Sequence, residues 1–450
     1  SLVFGYIFTI AAFLSVFYAL HIRDTVQQVA GLSYAGAAIC AVFAGDMVSL
    51  FVFWELTALT SVFLIWAARS ERAYRTGMRY LVIQITSGVL LLSGAILIVG
   101  ETGSITFSQI GIDSLGGKLI LLSFGIKAAF PLLHNWLQDA YPEATVTGTV
   151  FLSAFTTKLA IYALARGYPG TEMLIWIGAT MAVFPIFYAV IENDLRRVLA
   201  YCLNNQLGFM VVGVGIGTDL ALNGAVSHAF AGILYKGLLF MTMGAVLYRA
   251  GTANGSDLGG LYKSMPWTTT FCIVGAASIS GMPLLGGFVT KSMILTAAAE
   301  EGHWIAWTVL VFASAGVIYH SAIKVPYLAF FAQDSGKRVQ EAPLNMLIAM
   351  GITAFLCVAI GVYPDPLYAI LPYAVNYVPY TTAHVITMLQ LLAFATLGFA
   401  LLQRYGFYPQ ELRGINLDTD WIYRRLVPRT VAAFMRSLVQ ARDKLRRWRS

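Results

Sequence analysis

Of 450 residues, 58% are hydrophobic and only 11% are charged, against about a quarter charged in an ordinary soluble domain. Charge this sparse excludes a water-soluble globule and makes lipid or other helices the solvent for most side chains. The net charge of +7 is local: from Arg404 onward eleven Lys/Arg meet four Asp/Glu, and everything before balances to zero. The basic excess therefore describes a tail at a membrane surface and excludes a nucleic-acid binder.

Taken in chain order, apolar stretches of spanning length fall at 1–22, 29–45, 47–68, 79–99, 117–137, 146–166, 172–191, 195–217, 220–250, 266–299, 304–331, 343–362 and 381–403. The expectation is an all-α polytopic membrane protein with about thirteen transmembrane helices. The first stretch is apolar from Ser1, with no Met and no basic leader before it, so no signal peptide is expected and the start reads as incomplete. The segment 366–380, with three prolines, reads as interfacial.

Loop charges orient the spans. One set of alternate connections and the tail holds twenty-two Lys/Arg, among them Arg23, Arg69, Arg72, Arg75, Arg79, Arg196 and Arg197; the other set holds Lys118 and Arg166. This positive-inside asymmetry predicts a multi-pass protein of the cell (inner) membrane with a cytoplasmic C-terminus.

Five lysines belong to no loop: Lys127, Lys158, Lys236, Lys291 and Lys324. Glu55 and His228 share their depth, with His134 and His320 nearer helix ends. A charge at the bilayer centre costs at least ~2.5–3.5 kcal/mol unless it faces a polar interior. Lys324 lies about two turns from a helix end, within snorkelling reach, and His134 and His320 are compatible with ordinary interior histidines. The mid-span bases are all lysine, whose pKa shifts readily on burial, whereas arginine stays charged; that pattern points to proton exchange. Cys40, Cys202, Cys272 and Cys357 are dispersed in apolar stretches without CxxC spacing, so no metal and no cofactor is expected.

Two of the spans carry proline within about eight residues of a mid-span lysine, at Pro131 after Lys127 and at Pro283 before Lys291. Both helices should be interrupted, which membrane depth tolerates only inside protein or along a water-filled cavity. The two interruptions are five spans apart, so two five-helix units of opposite orientation are expected: 29–166 and 172–331. Outside them stand an N-terminal helix, 1–28, two C-terminal transmembrane helices, 343–403, and a basic amphipathic tail, 404–450. On the ninth span His228 and Lys236 are eight residues apart, about 12 Å along a helix, a gap that needs water or another side chain to bridge it.

Four runs carry a resemblance to a known family: Gly45-Asp46 through Phe53-Trp54-Glu55-Leu56; Phe124-Gly125-Ile126-Lys127 through Pro131 and on to Trp136-Leu137-Gln138-Asp139; Asp194-Leu195-Arg196-Arg197 through Tyr201; and Gly281-Met282-Pro283 through Lys291. As an ordered set they resemble the antiporter-like subunits of Mrp-type multisubunit Na+/H+ antiporters and of the membrane arm of respiratory complex I. The resemblance implies a gating pair, Glu55 with Lys127, then a relay through Lys158, His228 and Lys236 to Lys291; Lys324, His320, His134 and Asp139 are further candidates. Gln138 stands where the family usually has proline, and Gly232 where some members have a second histidine. Residues 416–424 resemble the D-type antiporter subunit.

The resemblance implies other membrane subunits as partners, protons and Na+ or another monovalent cation as cargo, and anionic lipid against the tail. The alternatives are a proton-pumping subunit of a complex I-like NADH:quinone oxidoreductase or membrane-bound hydrogenase, a standalone transporter of organic solutes, and a subunit coupled to a soluble inorganic-carbon enzyme. In each redox case the catalysis belongs to partners, since this chain holds no nucleotide, haem or cluster motif.

Overall fold

In lipid the backbone is the polar group that must be satisfied, and helices satisfy it within one segment. The computed structural model describes residues 1–407, 414, 416, 418–419 and 421–447, and no strand occurs among them. In chain order the helices are α1 (Leu2–Tyr18), α2 (Thr25–Phe43), α3 (Met47–Trp66), α4 (Glu71–Thr102), α5 (Leu115–Lys127), α6 (Asn135–Glu143), α7 (Val146–Ala154), α8 (Thr156–Gly167), α9 (Met173–Ile191) and α10 (Leu195–Ile216). There follow α11 (Asp219–Ala250), α12 (Pro266–Ser280), α13 (Gly286–Glu300), α14 (Trp304–Val317), α15 (Lys324–Pro326), α16 (Leu344–Val362), α17 (Asp365–Tyr368), α18 (Thr382–Arg404) and α19 (Val427–Arg447). Among the described residues ten helical runs are long and apolar enough to cross a bilayer, counting α7–α8 and the α14 run to Phe331 as one each. The apolar α1 is shorter, and the interrupted pairs α5/α6 and α12/α13 make up the remaining hydropathy segments.

The chain divides into Ser1–Leu412, the membrane body, and Arg413–Ser450. In the second, α19 carries exposed Val431, Phe434 and Met435 beside exposed Arg429 and Arg436, the amphipathic helix expected of the tail. Leu417 and Asp420 of the D-type resemblance lie outside the described residues.

An internal correspondence runs through the body. Thr25 and Met173, Met47 and Leu195, and Glu71 and Asp219 open successive helices at a constant offset of 148 residues. α4 and α11 are both 32 residues and both end on a left-handed glycine, Gly103 and Gly251. Asp46 and Asp194 N-cap α3 and α10 by accepting backbone N–H bonds, a favourable placement of negative charge at a helix start. Each forms an isolated antiparallel bridge to the loop after the third helix, Asp46 to Thr106 and Asp194 to Asn254.

Pro131 and Pro283 sit where their helices stop. Ala128–His134 separates α5 from α6, with Ala129 and Leu132 at φ 61° and 70°; Gly281–Leu285 separates α12 from α13, with Leu284 at φ 72°. Left-handed Ala and Leu cost of order 1–3 kcal/mol each and persist only where surroundings impose them. Polar side chains occupy the freed backbone: Trp136 Nε1 donates to Ile126 O (2.9 Å), Asn204 Nδ2 to Ala129 O (3.2 Å), and Leu284 N donates to the Tyr380 hydroxyl (3.1 Å).

Four sequence expectations are corrected. The segment 146–166 is not one helix: it breaks at Phe155, and the Tyr34 hydroxyl accepts from Thr156 N (2.9 Å) at the break. The eleventh segment is π-helical over Ile318–Ile323 and Tyr327–Phe331. Lys324 does not snorkel; it is fully buried and donates to Val190 O (2.6 Å) and Glu192 O (2.8 Å) at the end of α9. Arg196 is not a loop cation. Its guanidinium is buried and bonds Pro142 O (2.8 Å), Ala144 O (3.0 Å), Thr145 O (3.3 Å) and Thr149 Oγ1, joining α10 to the α6/α7 junction. A fork of five N–H donors suits such a carbonyl cradle.

Removing Arg196 orphans several buried carbonyls, at roughly 1–3 kcal/mol for each left unsatisfied. Arg196→Ala should lower the melting temperature of the purified protein by several degrees, while Arg197→Ala, half-buried, should leave it near wild type; equal melting curves for the two variants would refute the latch.

Candidate functional site

Lys127 closes α5 at the first interruption and is fully buried. Its ammonium donates to Trp54 O (2.5 Å) and Thr57 Oγ1 (2.9 Å) and lies 4.4 Å from the centroid of the Trp54 ring. That indole is fixed in turn by its own donation to Ser87 Oγ (2.9 Å), which pairs with Ser123 across α4 and α5.

Glu55, one residue along α3, is half-buried. Its carboxylate occupies a notch over Gly88 of α4, where any Cβ would overlap Oε1, and Oε1 is buried without a hydrogen-bond partner. Each group lies in the other's field, yet the ammonium is held by Trp54 and Thr57 and the two form no ion pair. The pair is poised apart.

Lys158 stands just past the break at Phe155 and donates to Ser153 O (2.8 Å), a carbonyl that the break releases. Lys236 donates to Leu199 O (3.3 Å) with the Cys202 thiol beside it. Lys291, on α13, reaches back across the second interruption to Ile279 O (3.1 Å). Three lysines thus rest on single carbonyls, two of them at helix breaks.

His228 links these elements. Nδ1 meets Thr290 Oγ1 (3.0 Å) on α13, beside Lys291; Nε2 meets Gln206 Oε1 (3.1 Å) on α10 and the Tyr235 hydroxyl (3.2 Å). Tyr235 also donates to Gln206 Oε1 (3.1 Å) and precedes Lys236. The fields of Lys158 and Lys291 reach His228, and that of Lys236 reaches Lys158, Lys291 and His320. The structure therefore gathers Lys158, His228, Lys236, Lys291 and His320, with Glu55 and Lys127 as a separate pair. Buried Gln84 and Gln138 amides, Thr157 Oγ1 and Asn204 Oδ1 have no protein hydrogen-bond partner; such groups are ordinarily satisfied by bound water.

Two candidates stand apart. Asp139 pairs with Arg79 (3.5 Å) at the bundle end where Arg72 also meets Glu143 (2.7 Å), and His134 stacks its ring on Phe184, centroids 4.5 Å apart. Sequence reasoning missed Tyr235 and Thr290 as partners of His228. The signal for Tyr235 was present: seven residues, or two turns, puts it on the face of His228.

The 148-residue offset relates Glu55 to Leu203 and Gly88 to Lys236. One position carries the charge on the second helix over a glycine on the third; its counterpart carries the opposite charge on the third helix. Gly88→Ala should destabilise the protein by about 1–3 kcal/mol through overpacking. In a Glu55→Ala background the penalty should largely vanish, because the overlapping atom is gone; additive losses in thermal unfolding would contradict the notch.

Residues 44–316 match the family described as NADH:quinone oxidoreductase/Mrp antiporter, TM. The NADH-quinone oxidoreductase subunit N of Desulforudis audaxviator is 30% identical over 71% of this chain and 71% of that protein. The D-type subunit of the Na+/H+ antiporter of Alkalihalophilus pseudofirmus is 30% identical over 65% of this chain, which spans 63% of that protein's length. A chain of the Mrp complex from a Dietzia species shares the fold, with a TM-score of 0.74 at 22% identity over 81% of both chains. On these grounds the chain belongs to the NADH:quinone oxidoreductase/Mrp antiporter transmembrane family, as an antiporter-type polytopic membrane subunit.

Proposed function

We propose that this chain translocates protons within a multisubunit monovalent cation (Na+)/H+ antiporter of the cell membrane, as its D-type subunit with a cytoplasmic C-terminus, and that two inverted five-helix units, 29–166 and 172–331, carry the route. The observation that carries the proposal is the file of buried ammonium groups with N–H to spare. Lys158, Lys236 and Lys291 each donate to one protein oxygen, whereas an ammonium has three donors. The remaining donors, among unpartnered amides and hydroxyls, call for water, and an ammonium hydrogen-bonded to water exchanges its proton. Arg196, by contrast, engages protein oxygens with both of its terminal nitrogens.

The constant offset and paired bridges support the two units, and five spans per unit require opposite orientations. Protons enter or leave at Glu55 and Lys127. Closing their separation strengthens the hold on the ammonium proton and opening it weakens that hold, each 1.4 kcal/mol being a factor of ten in proton affinity. Lys158, His228 with Tyr235, Lys236 and Lys291 pass it on. Glu55 is half-buried in this chain alone, so a neighbouring membrane subunit completes its burial.

Antiporter membership rests on residues 416–424 and on the D-type relative. The equal identity to a subunit N favours a second reading, a proton-pumping subunit of a complex I-like or hydrogenase assembly whose redox chemistry lies in partners. Co-purification separates them: small antiporter subunits support the first, flavin- and cluster-binding subunits the second. In either assembly Lys127→Ala and Glu55→Ala should abolish proton-coupled transport in inverted membrane vesicles while partners still co-purify. Wild-type acidification in both variants would remove the gating pair.

A further inference from the structure

We propose that His320 is a proton-carrying residue of the second unit, the counterpart of Lys158 in the first, and that Lys324 beside it is a fixed cation that holds the end of α9. The proposal rests on the reading of two inverted units just given and extends its route by a residue on the eleventh span.

The two spans are distorted at matching depth. The sixth ends at Gly167 and breaks twelve residues earlier at Phe155; the eleventh ends at Phe331 and is π-helical from thirteen to eight residues before that end. Lys158 stands nine residues from the end of its span, and His320 and Lys324 stand eleven and seven from theirs. π turns inside α-helices occur frequently at functional sites.

The two bases of the eleventh span differ in what they touch. Lys324 meets three carbonyls of α9 and its C-terminal end, Ala189 O, Val190 O and Glu192 O, the negative end of a helix dipole. Three acceptors match three donors, so this ammonium is fixed. His320 is fully buried, its Nδ1 lies 2.8 Å from Ser321 Oγ, and its Nε2 has no hydrogen-bond partner. A buried ring nitrogen left unpaired is costly in a merely structural histidine.

The charged groups whose fields reach it are Lys236 and Lys324. Of the helices packed on its π turn, α9 carries Tyr188, α12 carries Cys272, α10 carries Arg196, Arg197, Tyr201 and Cys202, and α18 carries His384 and Arg404; none of these is an ammonium. Lys236 is thus the ammonium able to supply a proton. The transfer is a simple relay: a proton leaves the Lys236 ammonium through water and binds Nε2, and the proton on Nδ1 passes to Ser321 Oγ, whose own proton is released to water.

The test uses the whole complex in inverted vesicles. His320→Ala should assemble with its partners and cut proton-coupled transport by at least about tenfold, a loss of at least about 1.4 kcal/mol, and added imidazole should restore part of the rate; Lys324→Ala should lower thermal stability instead, with no rescue. Unimpaired transport in His320→Ala beside its loss in Lys127→Ala would overturn the role of His320 alone, while unimpaired transport in both would overturn the route itself. Loss in His320→Ala that imidazole leaves unchanged also counts against a proton-carrying ring. Should His320→Ala not assemble, radiolytic hydroxyl footprinting of the unaltered complex decides: oxidation of His320 supports a hydrated ring, and protection from it overturns the proposal.

Discussion

The structure depends on one constraint, that a backbone carbonyl freed inside a membrane must find a donor within the protein. Two proline interruptions, the break at Phe155 and the helix ends buried within the bundle release such carbonyls, and basic side chains take several of them: Lys158 takes Ser153 O, Lys291 takes Ile279 O, and Arg196 takes the end of α6. This turns two liabilities into a mutual solution. A cation is costly at bilayer depth and an unpaired carbonyl is costly there too, and each lowers the cost of the other. The interruptions and the buried bases are therefore one feature rather than two.

The same constraint explains why the helix breaks and the charges repeat while the charged residues do not coincide. Helix starts and bridges keep the 148-residue offset through three helices of each half, because they set the scaffold. Beyond them register is lost, since the second interruption and the loops around it differ in length. Within the constant region chemistry still diverges: Glu55 and Gly88 answer to Leu203 and Lys236. A scaffold that fixes where a charge can be tolerated leaves open which helix supplies it and with which sign.

Much of this was legible from sequence. Hydropathy located the apolar segments, because burial in lipid demands uniform apolar runs, and Pro131 and Pro283 announced interruptions, because proline lacks a donor. Phe155 gave no such warning: no proline or glycine adjoins that break, and tertiary contacts such as the Tyr34 hydroxyl on Thr156 impose it. Lys324 and Arg196 were misplaced for a related reason. Sequence position gives distance to a helix end but not what lies beside it, and both find the end of another helix. The separation of Glu55 from Lys127 was equally hidden, since it depends on a notch that Gly88 opens in a helix 33 residues away.

The number of acceptors distinguishes a cation that holds from one that exchanges. Arg196 engages oxygens of Pro142, Ala144, Thr145 and Thr149, and Lys324 engages three at the end of α9; both tie helix ends together. Lys158, Lys236 and Lys291 have one oxygen each, with the Cys202 thiol beside Lys236 and the Phe209 ring beside Lys291, and Lys127 has two with the Trp54 ring. An ammonium with all three donors engaged loses a proton only by breaking the contacts that justify its burial. One that engages a single oxygen gives up a proton from another donor while that contact persists. By that measure Arg196 and Lys324 act as latches on helix ends, and the ammonium groups with donors to spare are the ones that the proposed proton route uses.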